Sequence, residues 1–243
     1  MLSRSVVRAA QLGFAAELEP AGPVFTRREC IDIGPWLEML ECPPLPGEPL
    51  VLDIEAVGVA TGHLAAFLVG LGRCTGGVLQ LEQHLLADVA GELALLEAVA
   101  TQVRSACLVT YNGRAFDMRV LASRCVANGL HPAIVEPRDH DDLLAPARRR
   151  FRSTLRSCTL AEVEVAVLGV CRGDDVPGRE GAARYRAWLR GAPAHVLTGV
   201  VAHNRMDVVS TALLAVHLAA IGEPLAARVS RSRAASSLFA DPA

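Results

Sequence analysis

The amino-acid sequence predicts an α/β domain with a mixed central sheet, three antiparallel strands and then parallel ones, flanked by helices. Three observations predict it. Apolar runs at 50–57, 63–73 and 76–85 follow one another with only short turns between them, the pattern of strands that pair in sequence. After residue 88 the hydrophobic period becomes helical and is broken by further short strands, which places parallel strands beside the first three and helices over the faces. Hydrophobic residues make up 51% of the chain and charged residues 21%, enough to build a sizeable core and too apolar for global disorder.

Taken in order, residues 1–21 read as a weakly ordered arm, and GPVFTRRECIDI (22–33) as an added strand or hairpin. ECPPLPGEP (41–49) carries four prolines and a glycine and is a linker. LVLDIEAV (50–57) is a buried strand, and HLAAFLVGLGR (63–73) and GGVLQLEQHL (76–85) are two more, turning at Gly76 and Gly77. DVAGELALLEAVATQVR (88–104) has helical spacing, ACLVTYN (106–112) is a strand, and RAFDMRVLASRCVANG (114–129) is a helix closed by Gly129. AIVEPRDHDDL is a short extended run before an arginine-rich helical piece at 143–152. TLAEVEVAVLG (159–169) is a short helix, RGDDVPGRE a loop, and helices follow at about 181–190 and 193–221. The expected organisation is therefore an arm and linker over 1–48, one domain over 49–221 and a mobile tail over 222–243.

Composition also narrows the function. No apolar stretch is long enough to span a bilayer, and Glu17 and Glu19 interrupt the first twenty residues, which do not read as a signal peptide. The seven cysteines include no C-x-x-C pair, so neither a zinc ribbon nor a disulfide framework is expected, and a reducing cytoplasm fits. A net charge of −2 argues against a protein that coats nucleic acid. All 24 basic residues are arginines, and Arg148, Arg149, Arg150, Arg152 and Arg156 fall together. Guanidinium forks suit phosphate, although taken alone such a run reads first as a solvated helix face.

Three acidic motifs carry the candidate chemistry. Asp53 and Glu55 are two apart on a strand and share a face; in an apolar strand they need a cation between them, unless they mark a strand end in solvent or have an arginine partner. Asp117 closes TYNGRAFD, where a strand ends, Asn112 and Gly113 turn and a helix begins. Ligands gather at such strand ends in open α/β sheets, while capping and the helix dipole are the better account of Asp117 taken alone. His203 and Asp207 in HNRMD are four apart on the last long helix and share a face, as ordinary surface pairs also do. Together the motifs offer four carboxylates and a histidine. Hard oxygen ligands select Mg²⁺ or Mn²⁺, two such ions can clamp the attacking and leaving oxygens of a displacement, and a histidine beside them can take the proton of the attacking water.

These three blocks resemble the motifs of the DEDD exonuclease superfamily, which has the ribonuclease H-like fold. More narrowly, residues 22–221 resemble the YprB-like ribonuclease H-like domain family through TYNGRAFD, HDDLLAPARRRF (140–151), SCTLAEVEVAVLGVCRGDDVPG (157–178), Tyr185 with WLRG (188–191), and HNRMD. The resemblance implies a metal-dependent nuclease, a 3′–5′ exonuclease on DNA or RNA ends. By motif position Asp53, Glu55, Asp117 and Asp207 would hold two divalent ions, Mg²⁺ or Mn²⁺, and His203 would be the general base. Asn112, Asp142 and Asn204 would support the site. The first motif reads DIEAVG where relatives often have DxETTG, so Ala56 and Val57 lack hydroxyls and the backbone N–H of Ala56 is what remains to meet a substrate end. The spacing of His203 to Asp207 resembles the YxxxD subgroup. With aromatics at 4% of the chain, contacts to phosphate would fall to Arg148, Arg149, Arg150 and Arg152, at least one of them facing the groove of Asp117 and Asp207. The alternative is a non-catalytic nucleic-acid-binding or scaffold domain with a degenerate site, or a module acting inside a helicase or repair complex.

Overall fold

A computed structural model describes residues 4–225 except 46, 61 and 174. The arm expected for 1–21 instead carries a helix, α1 (Arg4–Ala10), and a strand, β1 (Ala15–Glu19). Ala9, Leu12 and Phe14 are buried in the core, and Arg8 reaches the carbonyls of Trp188 and Ala192, so tertiary contacts order a segment with little periodicity of its own. The mobile tail expected from 222 lies, beyond residue 225, outside the described residues.

The strand expected at 22–33 is β2 (Gly22–Asp32). After α2 (Gly34–Met39) come β3 (Leu50–Gly58), β4 (Leu64–Thr75) and β5 (Val78–Leu85). Helix α3 (Glu92–Val103), β6 (Cys107–Thr110), α4 (Asp117–Ala127) and β7 (Asp139–Asp142) follow. The rest is helical: α5 (Leu144–Phe151), α6 (Leu160–Val163) with a π-helical turn (Glu164–Leu168), α7 (Gly178–Leu189) and α8 (Thr198–Ala220). The sheet has seven strands in the order β1-β2-β5-β4-β3-β6-β7. Pairs up to β3 are antiparallel, and β3–β6 and β6–β7 are parallel.

β3 lies between β4 and β6, which is why its sequence is apolar on both faces. Leu50, Leu52 and Ile54 join one hydrophobic cluster and Val51 the other, so Asp53 and Glu55 interrupt the face of Val51. The β3–β4 register shifts between Glu55 and Ala56, a bulge of the kind that re-aims side chains beside a site. Two glycines of β4 let α8 lie close to the sheet. A Cβ on Gly70 would stand 2.5 Å from Asn204 Oδ1, and one on Gly72 2.6 Å from Val208 Cγ1.

Candidate active site

Asp53 and Glu55 come from β3, Asp117 from the first turn of α4, and His203, Asn204 and Asp207 from one face of α8. Parallel pairing of β3 with β6 brings the start of α4 to β3, where Asp117 Oδ1 accepts a hydrogen bond from the Ile54 N–H at 3.0 Å. Asn204 is fully buried. Its Nδ2 donates to Asp53 Oδ2 at 2.8 Å and to the Asp53 carbonyl at 3.2 Å, and its Oδ1 accepts from Gln83 Nε2 at 2.8 Å. The buried amide thus fixes Asp53 against α8.

The Asn112–Arg114 turn is stapled by Asp142. Its Oδ1 accepts from the N–H of Asn112 at 2.8 Å and of Leu144 at 3.1 Å, and its Oδ2 from that of Arg114 at 3.0 Å. Asn112 has a left-handed φ of 66°, a conformation asparagine tolerates better than most residues. A Cβ on Gly113 would lie 2.5 Å from Thr110 Cβ, so the turn requires glycine there.

The carboxylates act on one another. Burial, and then the charges of Asp207, Asp117 and Glu55, push the Asp53 carboxyl well above the usual range, against the hydrogen bond from Asn204. Burial foremost, and Asp207, Asp175 and Asp117 with it, raise Glu55 to about 7, while His203 works the other way. Asp117 is raised to about 7, chiefly by burial, with Asp142 and Asp207 adding repulsion against two backbone hydrogen bonds. His203 sits among these groups: its Nε2 is 3.6 Å from Asp207 Oδ2 and 4.0 Å from Glu55 Oε1. Burial opposes its protonation, but Asp207, Asp175 and Glu55 outweigh burial and raise its pKa.

Arg172, Asp175 and Glu164 are part of this arrangement, and the sequence reading passed over them. They stand in a segment that reads as an unremarkable loop and a short helix. The Arg172 guanidinium, mostly buried, donates to Glu164 and Asp207 through Nη2 and to Asp175 Oδ2 through Nη1 at 3.1 Å. Asp175 accepts from His203 Nδ1 at 2.8 and 2.9 Å. The signal that could have found them is the charge pattern of CRGDD beside a buried Glu164 in an otherwise apolar turn.

The arginine cluster divides. Arg148, Arg149 and Arg152 line a cavity of about 650 Å³ together with Arg114, His140 and Asp142, whereas Arg150 does not line it. Asp117 and Asp207 do not line it either, and Asp142 forms the wall between the arginines and the Asn112–Arg114 turn. Arg149 is bridged to Glu223 at 2.7 Å. Ala56 stands at the register shift, partly buried against the core.

The donor set has the chemistry of a divalent-cation site: carboxylate oxygens only, in excess over nearby cations, with Asp207 among the charges that raise Asp53, Glu55 and Asp117. Among the described residues no three His, Cys, Asp or Glu side chains stand in an arrangement that could hold a metal ion; Arg172 engages Asp207 and the Ile54 N–H engages Asp117. All seven cysteines are free, and no helix among the described residues is long and apolar enough to cross a membrane.

A seven-stranded mixed sheet with paired carboxylates on an interior strand, β3, and an aspartate presented by α8 defines a domain of the ribonuclease H-like class. A family model described as the RNase_H superfamily matches residues 50–219. The uncharacterized protein YprB of Bacillus subtilis (strain 168) is 33% identical over 168 residues, which are 68% of this chain and 40% of that protein. The chain belongs to the YprB-like family of the RNase_H superfamily.

Proposed function

We propose that this chain is a metal-dependent nuclease that hydrolyses phosphodiester bonds of DNA or RNA, acting as a 3′–5′ exonuclease. The observation that carries the reading is the convergence of Asp53 and Glu55 on β3 with Asp117 at the head of α4, held to the Ile54 N–H, and Asp207 on α8, whose Asn204 holds Asp53. Burying charges this way is costly without a cation. Asp53, Glu55, Asp117 and Asp207 would hold two Mg²⁺ or Mn²⁺ ions, which when bound supply Lewis-acid stabilisation of the charge on the scissile phosphate.

The chain's own residues do the rest. Asn204 and Asp142 hold Asp53 and the Asp117 turn in place. His203 presents Nε2 to the carboxylates and accepts the proton of the attacking water. The Ala56 N–H meets the substrate end, and Arg148, Arg149 and Arg152 hold phosphates of the strand from their cavity.

Replacing Asp53 tests the reading. Asp53→Ala should abolish Mn²⁺- or Mg²⁺-dependent degradation of end-labelled DNA and RNA oligonucleotides while the circular dichroism spectrum stays native. Equal degradation by the two proteins would overturn it. Loss of the 3′ label before the 5′ label would establish polarity.

A second reading, a nucleic-acid-binding or scaffold domain without turnover, is favoured by one observation: Arg172 already neutralises Asp207. Calorimetric titration with Mn²⁺ separates the two, since only the nuclease takes up metal at millimolar concentration.

A further inference from the structure

We propose that Asp175 is a positioning residue that fixes the tautomer and the facing of the His203 imidazole; this deepens the nuclease reading and rests on it. The segment GVCRGDDVPG lies outside all three acidic motifs and contributes no carboxylate to the set already described. It leads from the π-helical turn into α7 and delivers two charged side chains to the far side of His203.

The Asp175 carboxylate is itself held. The Asp175 N–H donates to the Gly173 carbonyl at 2.8 Å, and the Val176 N–H donates to Asp175 Oδ1 at 2.8 Å. Both its oxygens then stand within 2.9 Å of His203 Nδ1. Arg172 Nη1 is also 3.2 Å from that nitrogen. A guanidinium only donates and a carboxylate only accepts, so Nδ1 cannot serve both. Of the two neutral tautomers, only one satisfies both contacts. Nδ1 carries the proton and donates to Asp175, and Arg172 Nη1 donates instead to Asp175 Oδ2, 3.1 Å away. A proton on Nε2 would leave two carboxylate oxygens against a bare nitrogen lone pair, and Nε2 itself has no acceptor nearer than 3.6 Å.

With Nδ1–H fixed, the free lone pair of Nε2 faces Glu55 and Asp207. That is the atom a general base must present, and a group that holds the opposite nitrogen decides which one it is. The separation of His203 from Asp207 by one helical turn places the ring, and Asp175 sets how it is turned.

Long-range ¹H–¹⁵N spectra of the metal-free protein at about pH 9, above the usual histidine range, read the tautomer directly, with His203→Ala to assign the ring. Wild type should show the Nδ1–H form at His203. Asp175→Ala should lose it, and its kcat on an oligonucleotide should fall about 10- to 100-fold with KM little changed. Asp175→Asn keeps an oxygen acceptor and should recover the tautomer and part of the rate. Retention of the Nδ1–H form by Asp175→Ala, or an unchanged kcat in that variant, would overturn the proposal. If wild type cleaves nothing, the nuclease reading fails, and the spectra alone then decide whether Asp175 sets the ring.

Discussion

Glu55 shows how narrowly single atoms define this site. It is buried, its carboxyl is raised to about 7 by burial and by neighbouring acids, and its Oε2 lies against α7 at Gly181. A Cβ on Gly181 would stand 2.9 Å from Oε2 and 3.6 Å from Val200 Cγ1. The helix backbone there is ordinary, so alanine would gain up to about 1 kcal/mol of helix propensity. The carboxylate, as the flexible partner, would have to move. Gly181→Ala is therefore expected to leave the melting temperature equal or higher while lowering the cleavage rate at least tenfold, since misplacement by about 1 Å costs on the order of 100-fold. A variant as active as wild type would mean that Glu55 need not stay where it is. The sequence exposed the carboxylates at this scale because acids in an apolar strand, a turn and a helix stand out. It hid Arg172, Asp175 and Gly181, whose partners are far along the chain: Arg172 meets Asp207 across 35 residues.

Among the elements, legibility followed the source of the order. Strands β3, β4 and β5 and helices α3 and α4 carry their own periodicity, and their ends fall within a few residues of expectation. α1 and β1 take their order from Trp188, Ala192 and the edge of β2, which no local pattern announces. The helix expected at 159–169 splits into α6 and a π-helical turn ended by Gly169 with φ 64°. That turn buries Glu164 against Arg172. Helix α5 has a different logic: with Arg152, which caps its C-terminus, it presents Arg148 and Arg149 to one cavity, with Arg149 already paired to Glu223. Among the described residues Arg148 and Arg152 have no carboxylate within salt-bridge distance, so a phosphate strand would displace counterions there rather than break ion pairs. Charge reversal at Arg148 or Arg152 to Glu should weaken oligonucleotide binding and flatten the slope of log K against log salt by about one unit. The same reversal at Arg150, outside the cavity, should change the slope less. Anisotropy titrations at several salt concentrations decide this, and equal slopes for all three variants would make α5 a solvated face.

For the whole molecule, the cost of the site is a pH-dependent stability. Glu55 and Asp117 are raised to about 7 in the fold, by burial first and by neighbouring carboxylates after it, from ordinary values of 4.5 and 3.8. A carboxyl with a raised folded pKa binds its proton more tightly in the native state. Its contribution to stability is complete below the unfolded value and is lost as pH climbs through the folded one. Glu82, held near 2 chiefly by its hydrogen bond to His84, has the opposite sign and loses its contribution only in stronger acid. Metal-free protein should therefore be most stable near pH 4–5 and lose on the order of 5 kcal/mol, about half from each carboxyl, between pH 5 and 7.5. Thermal melts across that range in the presence of a chelator measure the loss. Asp117→Asn should flatten the curve, because the amide does not ionise. On the proposed metal-dependent reading, Mn²⁺ added at pH 7.5 should raise the melting temperature by mass action, and Asp53→Ala should abolish that rise. A metal-free protein whose melting temperature is constant from pH 5 to 7.5 would show that Glu55 and Asp117 are not the strained acids their surroundings make them.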